Sequence, residues 1–137
     1  MACPYFYPTD RFEFKMWPHP SRLPLGDGYA GICLAGAEEF QPGEAALKDG
    51  CNLGYARKCC DRVPSGGPDA VRFAVTSDSG NLIRISFAVE KAHLPHEHGA
   101  LEFDRSRRAF ANPHPNRILE RQAEAYVESY LRRTHDR

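Results

Sequence analysis

Apolar and polar residues alternate most regularly in the second half of the chain. Val71, Phe73 and Val75 alternate with Arg72, Ala74 and Thr76, the two-residue period of a half-buried strand. Ser77-Asp78-Ser79-Gly80-Asn81 follows as turn chemistry, with Gly80 free to take positive φ. Ile83, Ile85, Phe87 and Val89 then alternate with Arg84, Ser86, Ala88 and Glu90. Two such runs around a glycine-bearing turn predict a β-hairpin. A third short strand is expected over Ala100 to Phe103, after Gly99.

From Asn116 to about Arg133 the period lengthens to that of a helix. Ile118, Leu119, Ala123, Tyr126, Val127, Tyr130 and Leu131 form one apolar stripe. Asn112 or Asn116 suits the cap, and Pro113 or Pro115 suits the entry. Arg132 and Arg133 sit where the helix dipole favours cations. A helix laid on a small antiparallel sheet gives an α+β fold. Tyr126 and Tyr130 are expected to pack on that sheet.

The first half reads differently. Tyr5-Phe6-Tyr7 and Phe12 to Trp17 are expected to be short strands. From Pro18 to about Gln41 neither period is sustained. Gly43–Lys48 and Cys51–Cys60 are candidates for short helices. Eight of the 11 prolines and nine of the 11 glycines precede residue 70. Ordering so much irregular chain costs about 1–2 kcal/mol per residue. The scattered Ile32, Leu34, Leu47 and Leu53 are too few to offset that. Compact domains rarely keep such loops unless something holds them. The chain therefore reads as a single domain over 1–137, with a cysteine-bearing metal-binding half (1–69) and a hairpin-plus-helix half (70–137).

Composition narrows the function. The 137 residues carry 18 Lys and Arg against 18 Asp and Glu, a formal net charge of zero. A nucleic-acid backbone binder is usually basic, so none is expected as a partner. No apolar run approaches the roughly 18 residues of a membrane span, and the first residues lack a signal peptide's pattern. The cytoplasm, where thiols stay reduced, is the expected compartment.

All five cysteines, Cys3, Cys33, Cys51, Cys59 and Cys60, precede residue 61. Three readings compete. As small buried hydrophobes they leave their crowding unexplained. As disulfides they face an odd count and a reducing compartment. As thiolate ligands they supply the missing restraint. Structural zinc usually brings Cys-x2-Cys or Cys-x4-Cys knuckles, and the sequence has none. A cubane 4Fe–4S cluster spreads its four iron corners and collects single cysteines from distant loops. Cys3 precedes Pro4, which stiffens the chain beside the thiolate. Cys3, Cys33 and Cys51 are each alone in their region. Of the vicinal pair, Cys60 is preferred over Cys59 as fourth ligand, because it lies where the chain leaves any short helix. Arg57, Lys58 and Arg62 place positive charge near the thiolates, and Tyr5, Phe6, Tyr7, Phe14, Trp17, Tyr29 and Tyr55 are available to exclude water.

Cys3-Pro4-Tyr5-Phe6, the stretch from Arg22 to Cys33, and Cys51-Asn52-Leu53-Gly54-Tyr55-Ala56 resemble a group of small, uncharacterised bacterial cysteine-containing proteins. The resemblance covers roughly the first 65 residues. It implies that an iron–sulfur-type four-cysteine arrangement is a family feature, and it implies no activity. The scattered spacing also resembles iron–sulfur domains attached to some nucleic-acid enzymes, whose catalytic motifs are absent here. It departs from ferredoxins, which carry several cysteines in one compact run.

His93-Leu94-Pro95-His96-Glu97-His98-Gly99 is a second candidate. In an extended segment His96 and His98 point the same way. The bland reading is a connection carrying solvated histidines. Gly26 to Gly31 has the bare G-x-G-x-x-G spacing but lacks the flanking strand and helix. The leading expectation is a small soluble protein with one 4Fe–4S cluster on Cys3, Cys33, Cys51 and Cys60, for electron transfer with a redox protein partner or for structure. The alternatives are a zinc-stabilised interaction module and a metal-dependent enzyme using residues 93–98.

Overall fold

The computed structural model describes residues 2–11, 24–25, 28–35, 39–43, 51–52, 68, 70–91 and 94–135. In these residues the chain is α+β, with two antiparallel sheets and a C-terminal helix. The larger sheet is a meander of β3 (Ala70–Asp78), β4 (Leu82–Lys91), β5 (Leu94–Asp104) and β6 (Ala109–Phe110). The predicted hairpin is present: Val71 faces Val89, Phe73 faces Phe87 and Val75 faces Ile85. Gly80 sits at φ 95° in its turn, a conformation glycine adopts without strain. The third strand is longer than Ala100–Phe103. It begins at Leu94 and takes in His96, Glu97 and His98, so those residues lie in a strand and not in a connection. The alternation there was hidden because His96, Glu97 and His98 are all polar, and all are exposed.

The smaller sheet pairs β1 (Phe6–Arg11) with β2 (Tyr29–Cys33). β1 starts inside the expected Tyr5–Tyr7 strand but runs further. Phe12 to Trp17 lies outside the described residues. β2 was not foreseen. Its buried positions are Tyr29, Gly31 and Cys33, while Ala30 and Ile32 are only half-buried, so the polarity contrast that marks a strand is missing. Gly31 faces Pro8 across the pair. A Cβ there would overlap the Tyr7 carbonyl oxygen and lie 2.9 Å from both a Phe6 ring carbon and the Pro8 Cα. The two strands approach this closely only because position 31 has no side chain.

Helix α1 (Arg117–His135) begins as expected. The Asn116 side-chain oxygen accepts the N–H groups of Ile118 (3.0 Å) and Leu119 (3.3 Å), the N-cap arrangement. One face meets the large sheet. Leu119, Ala123 and Val127 are buried in the common core, and the Tyr126 ring lies 5.8 Å from that of Phe73. Tyr130 donates to Asp78 at 2.8 Å. A second face meets β1 and its neighbours. No residue from Ile118 to Arg132 is exposed, so the helix is covered on more than the one stripe its pattern predicts. A single core cluster includes Ala2, Cys3, Phe6, Leu25 and Tyr29 beside the sheet and helix residues.

Asp78 ties three elements together. It accepts from the Gly80 N–H (3.0 Å), the Tyr130 hydroxyl (2.8 Å) and the Arg105 guanidinium (3.2 Å). These contacts, Gly80 foremost and then Tyr130, hold its carboxyl below the ordinary carboxylate range. A lowered folded pKa contributes stability that is present above the unfolded value of about 3.9. It is lost as pH falls through the folded value. Thermal melts should therefore show Asp78→Asn less stable than the parent near neutral pH. The gap should close in acid, as pH falls through the folded value.

Candidate metal centre

Cys3 opens a tight turn. The Phe6 N–H donates to the Cys3 carbonyl at 3.2 Å, and Pro4 fixes φ at the second position, as such turns favour. The Cys3 N–H donates to the Cys51 carbonyl at 3.1 Å. Backbone therefore joins two cysteines that are 48 positions apart in the chain. Cys33 enters from β2, directly opposite Phe6 in the register. The Leu34 N–H donates to the Tyr5 carbonyl at 2.9 Å, closing that strand end onto the same turn. Cys3 and Cys33 are buried, and Cys51 is half-buried against the core.

The arrangement is held by buried polar side chains. Asn52 is fully buried. Its oxygen accepts the Tyr29 N–H at 3.1 Å and its amide donates to the Tyr29 carbonyl at 2.9 Å. It thus pairs with one β2 residue as a strand would, and it carries Cys51 with it. The Tyr29 hydroxyl reaches α1, donating to the Ala125 carbonyl at 2.9 Å and lying 2.9 Å from the Ser129 hydroxyl. Gln122, also fully buried, donates from Nε2 to the Cys3 and Phe6 carbonyls, each at 2.7 Å. Two carbonyl partners leave only one orientation for that amide, since an oxygen there would face two oxygens. Gln122 Oε1 is buried with no hydrogen-bond partner among the described residues. Arg121 adds bonds from the helix to the Pro8 carbonyl (2.8 Å) and the Thr9 carbonyl (3.2 Å).

Burying an amide without partners costs about 1–3 kcal/mol on mutational scales. The buried polar side chains of the described residues are Asn52, Gln122 and Ser129, and each hydrogen-bonds the cysteine-bearing turn or the Tyr29 of β2. Sequence reasoning missed all three. Gln122 and Ser129 lie off the apolar stripe that the helical period picks out. Asn52 beside Cys51 gave no local signal beyond its polarity.

Three of the four expected cysteines, Cys3, Cys33 and Cys51, thus have their backbones around one turn. Cys60, its rival Cys59, and Arg57, Lys58 and Arg62 lie outside the described residues. Among the described residues no three His, Cys, Asp or Glu side chains gather as a single metal ion requires. The histidine segment fares no better. His96 and His98 are exposed on β5, and His93 lies outside the described residues. Glu97 is engaged by the His114 Nε2 at 2.9 Å. The His114 Nδ1 accepts the Asn116 N–H at 2.9 Å, so this ring secures the helix entry. No described helix is long and apolar enough to cross a membrane. The chain matches no protein-family model, no curated protein and no solved structure.

Proposed function

We propose that the chain is an iron–sulfur protein holding one 4Fe–4S cluster on Cys3, Cys33, Cys51 and Cys60, for electron transfer with a redox protein or as a structural centre. The observation that carries this reading is the way Cys3 and Cys51 are tied together. They share a backbone hydrogen bond, beside a turn whose ends are gripped by a buried glutamine. Plain burial of small hydrophobes needs no such positioning. The donor set fits the group, because thiolate sulfur is the ligand iron–sulfur clusters take. Burial of Cys3 and Cys33 keeps water from their sulfurs. A cubane also accepts ligands that stand further apart than a single ion allows. Once bound, the cluster supplies one-electron redox chemistry. The protein's own part is to orient the thiolates and exclude water. A reducing compartment such as the cytoplasm keeps those thiols available.

Metal and sulfide analysis of anaerobically purified protein tests the reading. The expected result is about four iron and four sulfide per chain, with a brown colour and broad absorption near ~400 nm. Stoichiometric zinc without sulfide, in colourless protein, would replace the cluster with a zinc-stabilised module. Protein free of both metals would overturn the metal reading altogether.

A further inference from the structure

A second feature lies away from the cysteines, between the β5–β6 turn and α1. A cleft of about 1010 Å³ is lined there by Phe103, Arg105 and Arg108 on one side and by Glu124, Glu128, Leu131 and Arg132 of the helix on the other. The turn is firmly built. The Asp104 carboxylate accepts the Ser106 hydroxyl (2.7 Å) and the N–H groups of Ser106 (3.0 Å) and Arg107 (3.3 Å). The Arg105 N–H donates to the Asn81 carbonyl at 2.8 Å.

Arg108 in this turn has φ 51° and is the single positive-φ residue other than glycine among the described residues. Glycine or asparagine is at ease in that conformation, and an arginine is not. Strain of this kind concentrates at functional sites. Here it places a guanidinium on the cleft wall. Arg105 is anchored to Asp78 at 3.2 Å, yet its buried Nε–H has no acceptor among the described residues. Arg132 is steadied by the Ser129 hydroxyl at 3.1 Å. The facing glutamates already have a cation: Arg121 lies 2.9 Å from Glu124 and 3.8 Å from Glu128. Three arginines and two glutamates therefore line the space, and the glutamates already share Arg121 as a counter-charge.

We infer that this cleft binds a phosphorylated small molecule, with Arg105, Arg108 and Arg132 taking the phosphate and Glu124 and Glu128 taking hydroxyl or amino groups of the remainder. Guanidinium forks match the tetrahedral oxygens of phosphate. Phe103 and Leu131 supply the apolar lining such sites usually have. The cleft is larger than bare phosphate fills, so the ester should bind better than the free ion. This inference is independent of the cluster.

The test uses the full chain and two probes, inorganic phosphate and glycerol phosphate, against sodium chloride at equal ionic strength. Saturable shifts of the Ser106–Arg108 and Arg132 amide resonances are expected below about 10 mM, with the melting temperature rising in step. Arg108→Gly separates the site from its scaffold. It should melt about 3 °C higher without ligand, because the strain is gone, and bind either probe roughly tenfold more weakly. Arg132→Gln should weaken binding without the gain in stability. A response to inorganic phosphate as strong as that to the ester would leave an adventitious ion only and overturn the inference. So would a response no greater than that to chloride, or unchanged affinity in Arg108→Gly.

Discussion

Replacing Cys3, Cys33 or Cys51 singly with serine is expected to cut iron and sulfide content at least tenfold, and Cys60→Ser to do the same unless Cys59 takes its place, while Cys59→Ser leaves it near normal. Serine oxygen is a poor substitute for soft, anionic sulfur at an iron corner. A buried serine also costs some folding free energy, about 1–3 kcal/mol if its hydroxyl finds no partner. Cys→Ala variants and far-ultraviolet circular dichroism therefore accompany the series. The largest effects should fall on Cys3 and Cys51. Their backbones are bonded to each other, and each stands alone in its stretch of sequence. Cys59 and Cys60 are adjacent, and one can rescue loss of the other. The double Cys59→Ser, Cys60→Ser variant settles that case. Cluster content that survives loss of Cys3 or Cys33 sinks the four-cysteine proposal. Survival after loss of Cys60 but not of Cys59 corrects only the choice within the pair.

Gly31→Ala should do comparable damage without touching a sulfur. The added methyl would meet the Tyr7 carbonyl, the Phe6 ring and the Pro8 Cα. Two of these are backbone, so a rotamer change cannot relieve them. Overpacking costs typically 1–3 kcal/mol, and occasionally more. A value at or above about 3 kcal/mol is expected here. Part of the relief would come from separating β1 from β2. That separation would pull Cys33 away from the Phe6 end of the turn. Denaturant unfolding should show the loss, and metal loading should fall with it. A Gly31→Ala protein of parental stability would mean that the strands lie further apart than described. Gly99 offers a milder comparison. A Cβ there meets only the Phe87 ring, at 2.9 Å and 3.1 Å, and a ring can shift.

The hairpin and the helix were legible because each carries its own local period and punctuation, and the cap was narrowed to Asn112 or Asn116. β2 was not, because its buried positions are an aromatic, a glycine and a cysteine, and its outward positions are Ala30 and Ile32. Tertiary contact defines that strand, and its alternation does not. The first cysteines were legible as candidates from their crowding alone. Their meeting at one turn was not, since it depends on Asn52, Tyr29, Gln122 and Ser129. Those residues act through partners 23 to 119 positions away. A single sequence records such residues only as polar letters. The strain at Arg108 was equally silent, because nothing in Asp104-Arg105-Ser106-Arg107-Arg108 announces which residue takes the left-handed conformation.

The bond from Gln122 to the Cys3 carbonyl spans 119 positions, and this sets an order of events during synthesis. Chains emerge at roughly 5–20 residues per second. For several seconds the first cysteine therefore stands outside without the amide that will orient it. Contacts of such long range form late, after the loop between them has closed. The thiols are meanwhile exposed to oxidants and to competing metals. Assembly of the proposed centre would thus be a finishing step that waits for the helix. A chain cut short before Gln122 would leave Cys3 without that hold however intact its cysteines were.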